Sequence, residues 1–260
     1  MIVTPVILFL QAHNPMCPNV RQTILGWKTS RPWLYAWVQR VRYSIWWNSA
    51  SKRVKGRGNS IIATNALLQH CTFDIQGHDN QVVIGGGSVL RNVTFRIRGD
   101  GHRIHLGNDV MVARSAVFWM EGDRGTLAIG DLTTIEEAHL AVTEKGRSIT
   151  IGNDCMLAYG IEIRSGDSHS VIDVSSLQRV NPPADVVIGD HVWIAAHALV
   201  LKGCNIGPDC IVGTGSVVTK ASGLQGVILA GNPARIIKQG VTWDRRCLEL
   251  HCEGVMTASN

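Results

Sequence analysis

In the second half of the chain, aliphatic residues recur every six positions, and a smaller residue follows most of them four places later. The aliphatic positions are Ile151, Leu157, Ile163, Ile188, Ile194, Val200, Ile206, Val212 and Val218. The smaller positions are Cys155, Ile161, Val192, Ala198, Cys204, Cys210 and Ser216, among which only Ile161 is bulky. This period predicts an all-β solenoid, in which each turn has three flat faces and stacks its apolar side chains on the turn before.

The same pattern continues toward the N-terminus with interruptions. Aliphatic-Gly pairs begin at Ile84, Leu106, Ile129 and Ile151, with spacings of 22, 23 and 22 residues, which exceed three hexapeptides. The additional residues fall in polar, Gly-containing clusters at 99–103, 121–125 and 144–148. Such clusters predict tight turns that project from one corner of the solenoid.

The six-residue period is lost between Arg164 and Val187, although the 37 residues from Ile151 to Ile188 are close to the length of two coils. One coil is therefore predicted to open into a long loop over residues 164–187. Loops of this length on a rigid scaffold are where functional residues concentrate.

Composition divides the chain into three parts. We predict an N-terminal aromatic and basic cap at 1–60, the solenoid domain at 61–222, and a C-terminal segment and tail at 223–260. Within the cap, residues 31–57 interleave aromatic and basic side chains at spacings compatible with a helix. This segment would either make peripheral contact with an anionic membrane or cover the open end of the solenoid.

The net charge and the cysteine pattern limit the kinds of partner and the cellular compartment that the sequence favours. The net charge of +5 suits an anionic ligand, whereas no aromatic-basic module for nucleic acid is present, so no nucleic acid partner is expected. The seven cysteines form no Cys-x-x-Cys pair, and Cys155, Cys204 and Cys210 occupy inward positions, as expected of free thiols in a reducing compartment. The apolar stretch at 2–10 is too short to span a bilayer. We expect a cytoplasmic protein, at most peripheral at the inner face of the membrane.

Several motifs resemble those of the left-handed parallel β-helix acyltransferases, also called hexapeptide-repeat acetyltransferases. Three of them lie in the regular repeats and the C-terminal segment: Ile188-Gly-Asp-His-Val-Trp-Ile194, Ile206-Gly-Pro-Asp-Cys-Ile-Val-Gly-Thr-Gly-Ser-Val-Val-Thr-Lys220 and Ala230-Gly-Asn-Pro-Ala-Arg-Ile-Ile-Lys238. Three others resemble the branch that O-acetylates capsular and other surface polysaccharides, including polysialic acid: Arg164-Ser-Gly-Asp-Ser-His-Ser170, Arg179-Val-Asn-Pro182 and Trp243-Asp-Arg245. The resemblance covers about residues 60–246.

The resemblance implies a left-handed β-helix with a helical or irregular N-terminal cap and a short C-terminal extension. It also implies a homotrimer with active sites between neighbouring chains, acetyl-CoA as co-substrate, no metal, and a glycan hydroxyl as acceptor. Left-handed crossovers depart from the general rule for parallel strands, so the handedness comes from the resemblance alone.

His169 corresponds to the catalytic histidine of the family. A histidine is largely neutral at cellular pH and can accept the proton of an attacking hydroxyl as general base. Asp167 or a main-chain carbonyl would fix the tautomer of its ring. Trp193 corresponds to a catalytic tryptophan, whose indole N–H would stabilise the oxyanion; alternatively, its ring would pack against the pantetheine arm.

The resemblance also assigns residues to the two substrates. Coenzyme A would contact Ala196, Thr214, Thr219, Lys220, Arg235 and Lys238, with Arg235 suited to a bidentate grip on a phosphate. Related sugar acetyltransferases hold the acceptor with an asparagine one coil before the histidine, and this chain has none there. Glu136, Glu137, His139 or Asp167 would contact the acceptor instead, although the six-residue count places His139 on an inward position.

Three other functions are compatible with the same fold class. A small-molecule acceptor such as a sugar, an antibiotic or an amino acid is the first, and a non-catalytic solenoid scaffold is the second. The third is a zinc hydratase like the gamma-class carbonic anhydrases, which needs three convergent histidines. Because His191 and His197 stand six residues apart, we expect them on successive faces, where they would not share one ion.

Overall fold

A computed structural model describes residues 49–220 and 223–248. The strands in this part of the chain are β1 (Ser49–Lys55), β2 (Ser60–Ala63), β3 (Leu67–Gln76), β4 (Gln81–Ile84), β5 (Val89–Arg91), β6 (Val93–Arg98), β7 (Arg103–Leu106), β8 (Met111–Glu121), β9 (Thr126–Ile129), β10 (Thr134–Val142), β11 (Ser148–Ile151), β12 (Met156–Leu157), β13 (Ile161–Arg164), β14 (Val186–Ile188), β15 (Trp193–Ile194), β16 (Leu199–Val200), β17 (Asn205–Ile206), β18 (Ile211–Val212), β19 (Val217–Val218), β20 (Val227–Gly231) and β21 (Ala234–Gln239).

The strands stack in parallel as the turns of a solenoid. One seven-stranded sheet runs β17-β14-β11-β9-β7-β4-β2, and a 14-stranded sheet forms the other two faces. The aliphatic positions predicted from the sequence are direct pairing partners from turn to turn: Ile84 with Leu106, Leu106 with Ile129, Ile129 with Ile151, Ile151 with Ile188, and Ile188 with Ile206. The repeat read from the sequence is therefore the register of the fold.

The inward-facing side chains form one continuous core. Every large and every small repeat position named from the sequence in residues 151–218 is buried. Phe73, Phe95 and Phe118 fill the core of the N-terminal coils, with ring centroids 4.5 Å apart for the first pair and 5.3 Å for the second. Among the described cysteines, Cys71, Cys155, Cys204 and Cys210 are buried free thiols that serve as small apolar fillers.

A ladder of polar side chains stacks at one corner of the early coils. The side-chain Oδ1 of Asn59 accepts a hydrogen bond from the Asn80 backbone N–H, and the Oδ1 of Asn80 accepts one from the His102 backbone N–H. The fully buried His102 ring continues the ladder, because its Nδ1 accepts the Gly125 N–H at 3.0 Å. These bonds satisfy backbone groups that the turns would otherwise leave unpaired inside the protein.

Strands at the two ends of the described stack differ from the prediction or from the regular coils. Strand β1 lies inside the segment 31–57 for which a helix was expected, so the helix is wrong for Ser49–Lys55, and residues 31–48 lie outside the described residues. At the other end, β20 continues the stack and β21 returns antiparallel to it. Within 49–220 and 223–248, no helix has the length and hydropathy needed to cross a membrane.

Candidate active site

The predicted loop occupies the interval between β13 and β14. Its base is closed where the Ala184 N–H donates to the Ser165 carbonyl at 2.9 Å. Gly166 enters the loop against Thr143, where a Cβ atom would lie 2.6 Å from the Thr143 hydroxyl oxygen, so only glycine fits without rearrangement. The loop then pairs with itself through an antiparallel bridge between Ile172 and Arg179. It is therefore an ordered hairpin that begins and ends on the solenoid.

His169 lies near the base of this hairpin with its side chain exposed to solvent. Ser168, which precedes it, has a left-handed φ of 63°, a conformation that costs energy in a residue with a Cβ atom and that clusters at functional sites. The His169 carbonyl accepts a hydrogen bond from Asn181 Nδ2 at 2.8 Å. Its imidazole makes no hydrogen bond to any residue of the described chain, so it is free to meet a proton donor.

Asp167 does not orient the ring of His169. One of its carboxylate oxygens accepts hydrogen bonds from Lys202 Nζ and, at 2.8 Å, from Asn181 Nδ2. The hydrogen bond from Lys202 is the main reason that the pKa of Asp167 is lowered, and the bond from Asn181 adds to it. Asp167 thus joins the hairpin to the next coil, which carries Lys202.

The hairpin is also joined to the previous coil. The Arg179 guanidinium makes two hydrogen bonds to the carboxylate of Glu144, at 2.6 and 2.7 Å. This bidentate geometry is the strong form of an arginine-carboxylate pair, and it holds the pKa of Glu144 below its usual value. Glu144 lies in one of the predicted turn clusters, so the turn at 144–148 has a second role as an anchor for the hairpin.

Trp193 lies on another face of the solenoid. It belongs to β15, which stacks between β12 and β18, whereas the hairpin leaves the chain at the end of β13. Its half-buried ring lies beside the ring of Trp243, with centroids 6.2 Å apart. Within one chain, Trp193 and the hairpin with His169 therefore belong to different strand columns.

The C-terminal segment is clamped to the face that carries Trp193. The Trp243 ring stacks on His191 at 4.3 Å and donates its indole N–H to the His191 carbonyl at 2.7 Å. Burial disfavours the charged form of His191, but its hydrogen bonds to the Trp243 carbonyl and the Asp154 carboxylate outweigh burial and raise its pKa. Arg245 completes the clamp by donating to Asp154 and to Thr134. The motif Trp243-Asp-Arg245 carries no local signal of these contacts, because their partners lie 52 to 111 residues away in the sequence.

The residues assigned to coenzyme A lie in two groups, and Lys238 lies outside both. Ala196 and Thr214 occupy the same corner of consecutive coils, where the Gly215 N–H donates to the Ala196 carbonyl at 2.9 Å. Thr219, Lys220 and Arg235 line a cavity of about 570 Å³ at the end of the solenoid. Lys238 is exposed on β21, the strand that also carries Arg235.

Two of the residues assigned to the acceptor, Glu137 and His139, line a smaller groove of about 260 Å³, whereas Asp167 lies apart from it on the hairpin. Glu137 and His139 line it together with Glu162, whose carboxylate is 3.8 Å from His139 Nδ1. Burial is the main cause that lowers the pKa of His139. The inward position predicted for His139 is wrong, because Ala138 faces the core and His139 faces outward into the groove. Glu136 is next to this groove and pairs with Arg114 at 3.4 Å.

The rings of His191 and His197 contact different aromatic side chains. His191 belongs to the C-terminal clamp, whereas His197 packs edge-on against Tyr159 at 4.7 Å. Across the described ranges, no cluster of three histidine, cysteine or acidic side chains is arranged to hold a metal ion.

Comparisons with known proteins identify the repeat. The family model for bacterial transferase hexapeptide (six repeats) matches residues 185–220. The chain is 33% identical over 193 residues to the polysialic acid O-acetyltransferase of Neisseria meningitidis, which covers 74% of this chain and 88% of that protein. It is 32% identical over 136 residues to the polysialic acid O-acetyltransferase of Escherichia coli O1:K1 / APEC, but spans only 44% of that protein.

Solved structures agree with the sequence comparison. The crystal structure of the polySia-specific acetyltransferase NeuO superposes with a TM-score of 0.67 at 28% identity, over 77% of this chain and 90% of that one. The polysialic acid O-acetyltransferase OatWY gives the same TM-score and identity over 93% of its chain. These structures are left-handed β-helices, which confirms the fold class expected from the motifs. The chain is therefore an acetyltransferase and belongs to the hexapeptide-repeat family, whose polysialic acid O-acetyltransferases it resembles.

Proposed function

We propose that the protein transfers the acetyl group of acetyl-CoA to a hydroxyl of a bacterial surface glycan, with His169 as general base. The similarity to the Neisseria meningitidis enzyme across most of both chains carries this assignment. The exposed imidazole of His169 on an anchored hairpin supports the role of base, because a base must reach the proton of a large acceptor. By family analogy, the sites are completed between the subunits of a homotrimer.

Acetyl-CoA supplies an acetyl group activated as a thioester. His169 takes the proton of the acceptor hydroxyl as its oxygen bonds to the acetyl carbon and the carbon-sulfur bond breaks, and the proton then passes to the leaving thiolate. Trp193 donates its indole N–H to the carbonyl oxygen, on which negative charge develops. This direct transfer needs no covalent link between the enzyme and the acetyl group.

The residues present fit coenzyme A. Its pantetheine arm is long and narrow, and Ala196 and Thr214 leave a corner with small side chains along two coils. Its nucleotide end carries phosphates, and the cavity at the end of the solenoid is lined by Lys220 and Arg235. Lys238 adds a third positive charge on the same strand as Arg235. These cations would bind phosphate through charge-assisted hydrogen bonds.

A free-thiol assay with purified protein and acetyl-CoA tests the function directly. Polysialic acid oligomers, neutral lipopolysaccharide oligosaccharides and small acceptors such as chloramphenicol should be compared at equal concentration. We expect thiol release stimulated by a glycan, with acetyl ester found on that glycan by mass spectrometry. Stimulation by the small acceptors alone would assign the chain to small-molecule acetylation, and no release with or without acceptor would reject an acetyltransferase that uses acetyl-CoA.

Arg235→Ala should raise the KM for acetyl-CoA with little change in kcat, because the substitution removes a phosphate contact that is equal in the ground state and the transition state. Steady-state kinetics with acetyl-CoA varied at saturating acceptor measure this effect. Arg124→Ala, which removes an exposed arginine from a distant turn, is the matched control and should leave KM at the parental value. A fall in kcat alone for Arg235→Ala would contradict the placement.

Trp193→Phe should lower kcat by about 10²–10³-fold while the KM for acetyl-CoA is retained, because phenylalanine keeps an aromatic surface but lacks the N–H donor. Steady-state kinetics with acetyl-CoA varied also distinguish this role of Trp193 from the alternative, in which its ring packs against the pantetheine arm. If the ring only packs against the pantetheine arm, kcat will stay near the parental value and any change will appear in KM.

A further inference from the structure

We infer that Asn181 is a positioning residue, which holds the backbone of His169 in the place where its imidazole can act as base. The inference rests on the proposed function, since it assigns Asn181 a role through His169. Asn181 lies 12 residues after His169 on the returning arm of the hairpin. Its amide bonds directly to the outgoing arm.

All hydrogen-bonding capacity of the Asn181 amide is used in this role. Nδ2 has two hydrogens, and these are donated to the His169 carbonyl and to the Asp167 carboxylate, each at 2.8 Å. Oδ1 accepts two hydrogen bonds, from the Val171 N–H at 2.7 Å and from Arg179 Nε at 3.0 Å. The amide therefore contacts His169 itself and the residues two positions before and after it, Asp167 and Val171.

The partners of Asn181 are themselves fixed to the solenoid. Asp167 is bound by Lys202 from the following coil, and Lys202 also donates to the Asn181 carbonyl at 3.2 Å. Arg179 is bound by Glu144 from the preceding coil. The hairpin segment around His169 is thus braced between two coils, and Asn181 is the one residue of the hairpin that contacts Asp167, His169 and Arg179 together.

An exposed imidazole needs such a brace. Within the described chain no side chain bonds the His169 ring, so its position depends on its backbone, and the left-handed φ of Ser168 is maintained only where surrounding bonds enforce it. Misplacement of a catalytic group by about 1 Å costs up to about a hundredfold in rate. Loss of the Asn181 amide should therefore lower kcat without weakening the binding of acetyl-CoA.

The test compares Asn181→Ala, Asn181→Asp, His169→Ala and the double variant His169→Ala/Asn181→Ala in the full-length protein. Both Asn181 variants should lower kcat by about tenfold to a hundredfold, with the KM for acetyl-CoA and Tm near parental values. Asn181→Asp keeps the two acceptor contacts but loses both donors, so it should be as damaging as alanine. In the His169→Ala background, Asn181→Ala should cause no further loss, because both changes remove the same contribution.

Asp173→Ala is the matched control within the hairpin. The Asp173 carboxylate accepts hydrogen bonds from Ser175 and Ser176 at the far tip and does not contact His169, so this variant should keep parental kcat. Parental kcat in the Asn181 variants, or losses that multiply with those of His169→Ala, would overturn the inference while leaving His169 as base. Parental turnover in His169→Ala would instead reject His169 as the base of the proposed function.

Discussion

Replacing His169 by alanine is expected to lower kcat by about 10²–10⁴-fold, the usual contribution of a positioned general base. The side chain is exposed on a hairpin whose base and anchors do not involve the ring, so the substitution leaves the fold intact. Thiol release at saturating acetyl-CoA and acceptor measures the loss. Binding of acetyl-CoA, followed by calorimetry, should be unchanged.

Ser170→Ala is a suitable control for His169→Ala, because Ser170 is exposed in the same stretch of the hairpin. It should retain parental turnover. If His169→Ala turns over within a few fold of the parent, His169 is not the base. If it loses both turnover and coenzyme binding, the loss reflects a disturbed site rather than a missing proton acceptor.

Phe95→Ala should reduce the free energy of unfolding by about 3–5 kcal/mol, the range found when a buried aromatic side chain is truncated to alanine. Phe95 is completely buried, stacks on Phe73 and meets Phe118 edge-on, so the cavity would open in the middle of an aromatic column. Urea denaturation followed by circular dichroism, at one protein concentration, measures the change.

Thr94→Ala, one residue earlier in the same strand, is the control for Phe95→Ala. Thr94 is partly exposed and faces away from the core, so its truncation should change the free energy of unfolding by no more than about 0.5 kcal/mol. A loss below about 1 kcal/mol for Phe95→Ala would mean that the N-terminal coils contribute little to the measured transition. Hydrogen exchange would then show these coils opening separately, as is expected of a solenoid whose turns contact only their neighbours.

The core of the solenoid could be read from the sequence because its period is local and strict. Each large repeat position from Ile151 to Val218 is buried, and the pairs formed by Ile84, Leu106 and Ile129 follow the predicted order. Counting in six-residue repeats gave the wrong position for His139, because one corner of its coil is one residue shorter than the matching corner of the next coil. Ile135 pairs with Leu157, but Ala138 pairs with Ile161, so β10 reaches the next face one residue early.

The candidate site could be predicted only in part. The family motifs pointed to His169 and to the cations Lys220, Arg235 and Lys238, and the structure places Lys220 and Arg235 at one cavity. The bracing of the hairpin was not predictable, because Lys202 and Glu144 look like ordinary surface charges in the sequence. Their partners become visible only when consecutive coils bring residues 35 positions apart into contact.

The closed base of the hairpin has a consequence for how such proteins diversify. Ser165 and Ala184 are joined by one main-chain hydrogen bond. The coils on either side therefore connect to the same two residues, whatever the length of the segment between them. A segment inserted in this way could be exchanged, lengthened or trimmed as a cassette without altering the frame that carries it. Evolution could then adapt the enzyme to a new acceptor while the folding stability of the solenoid stays unchanged.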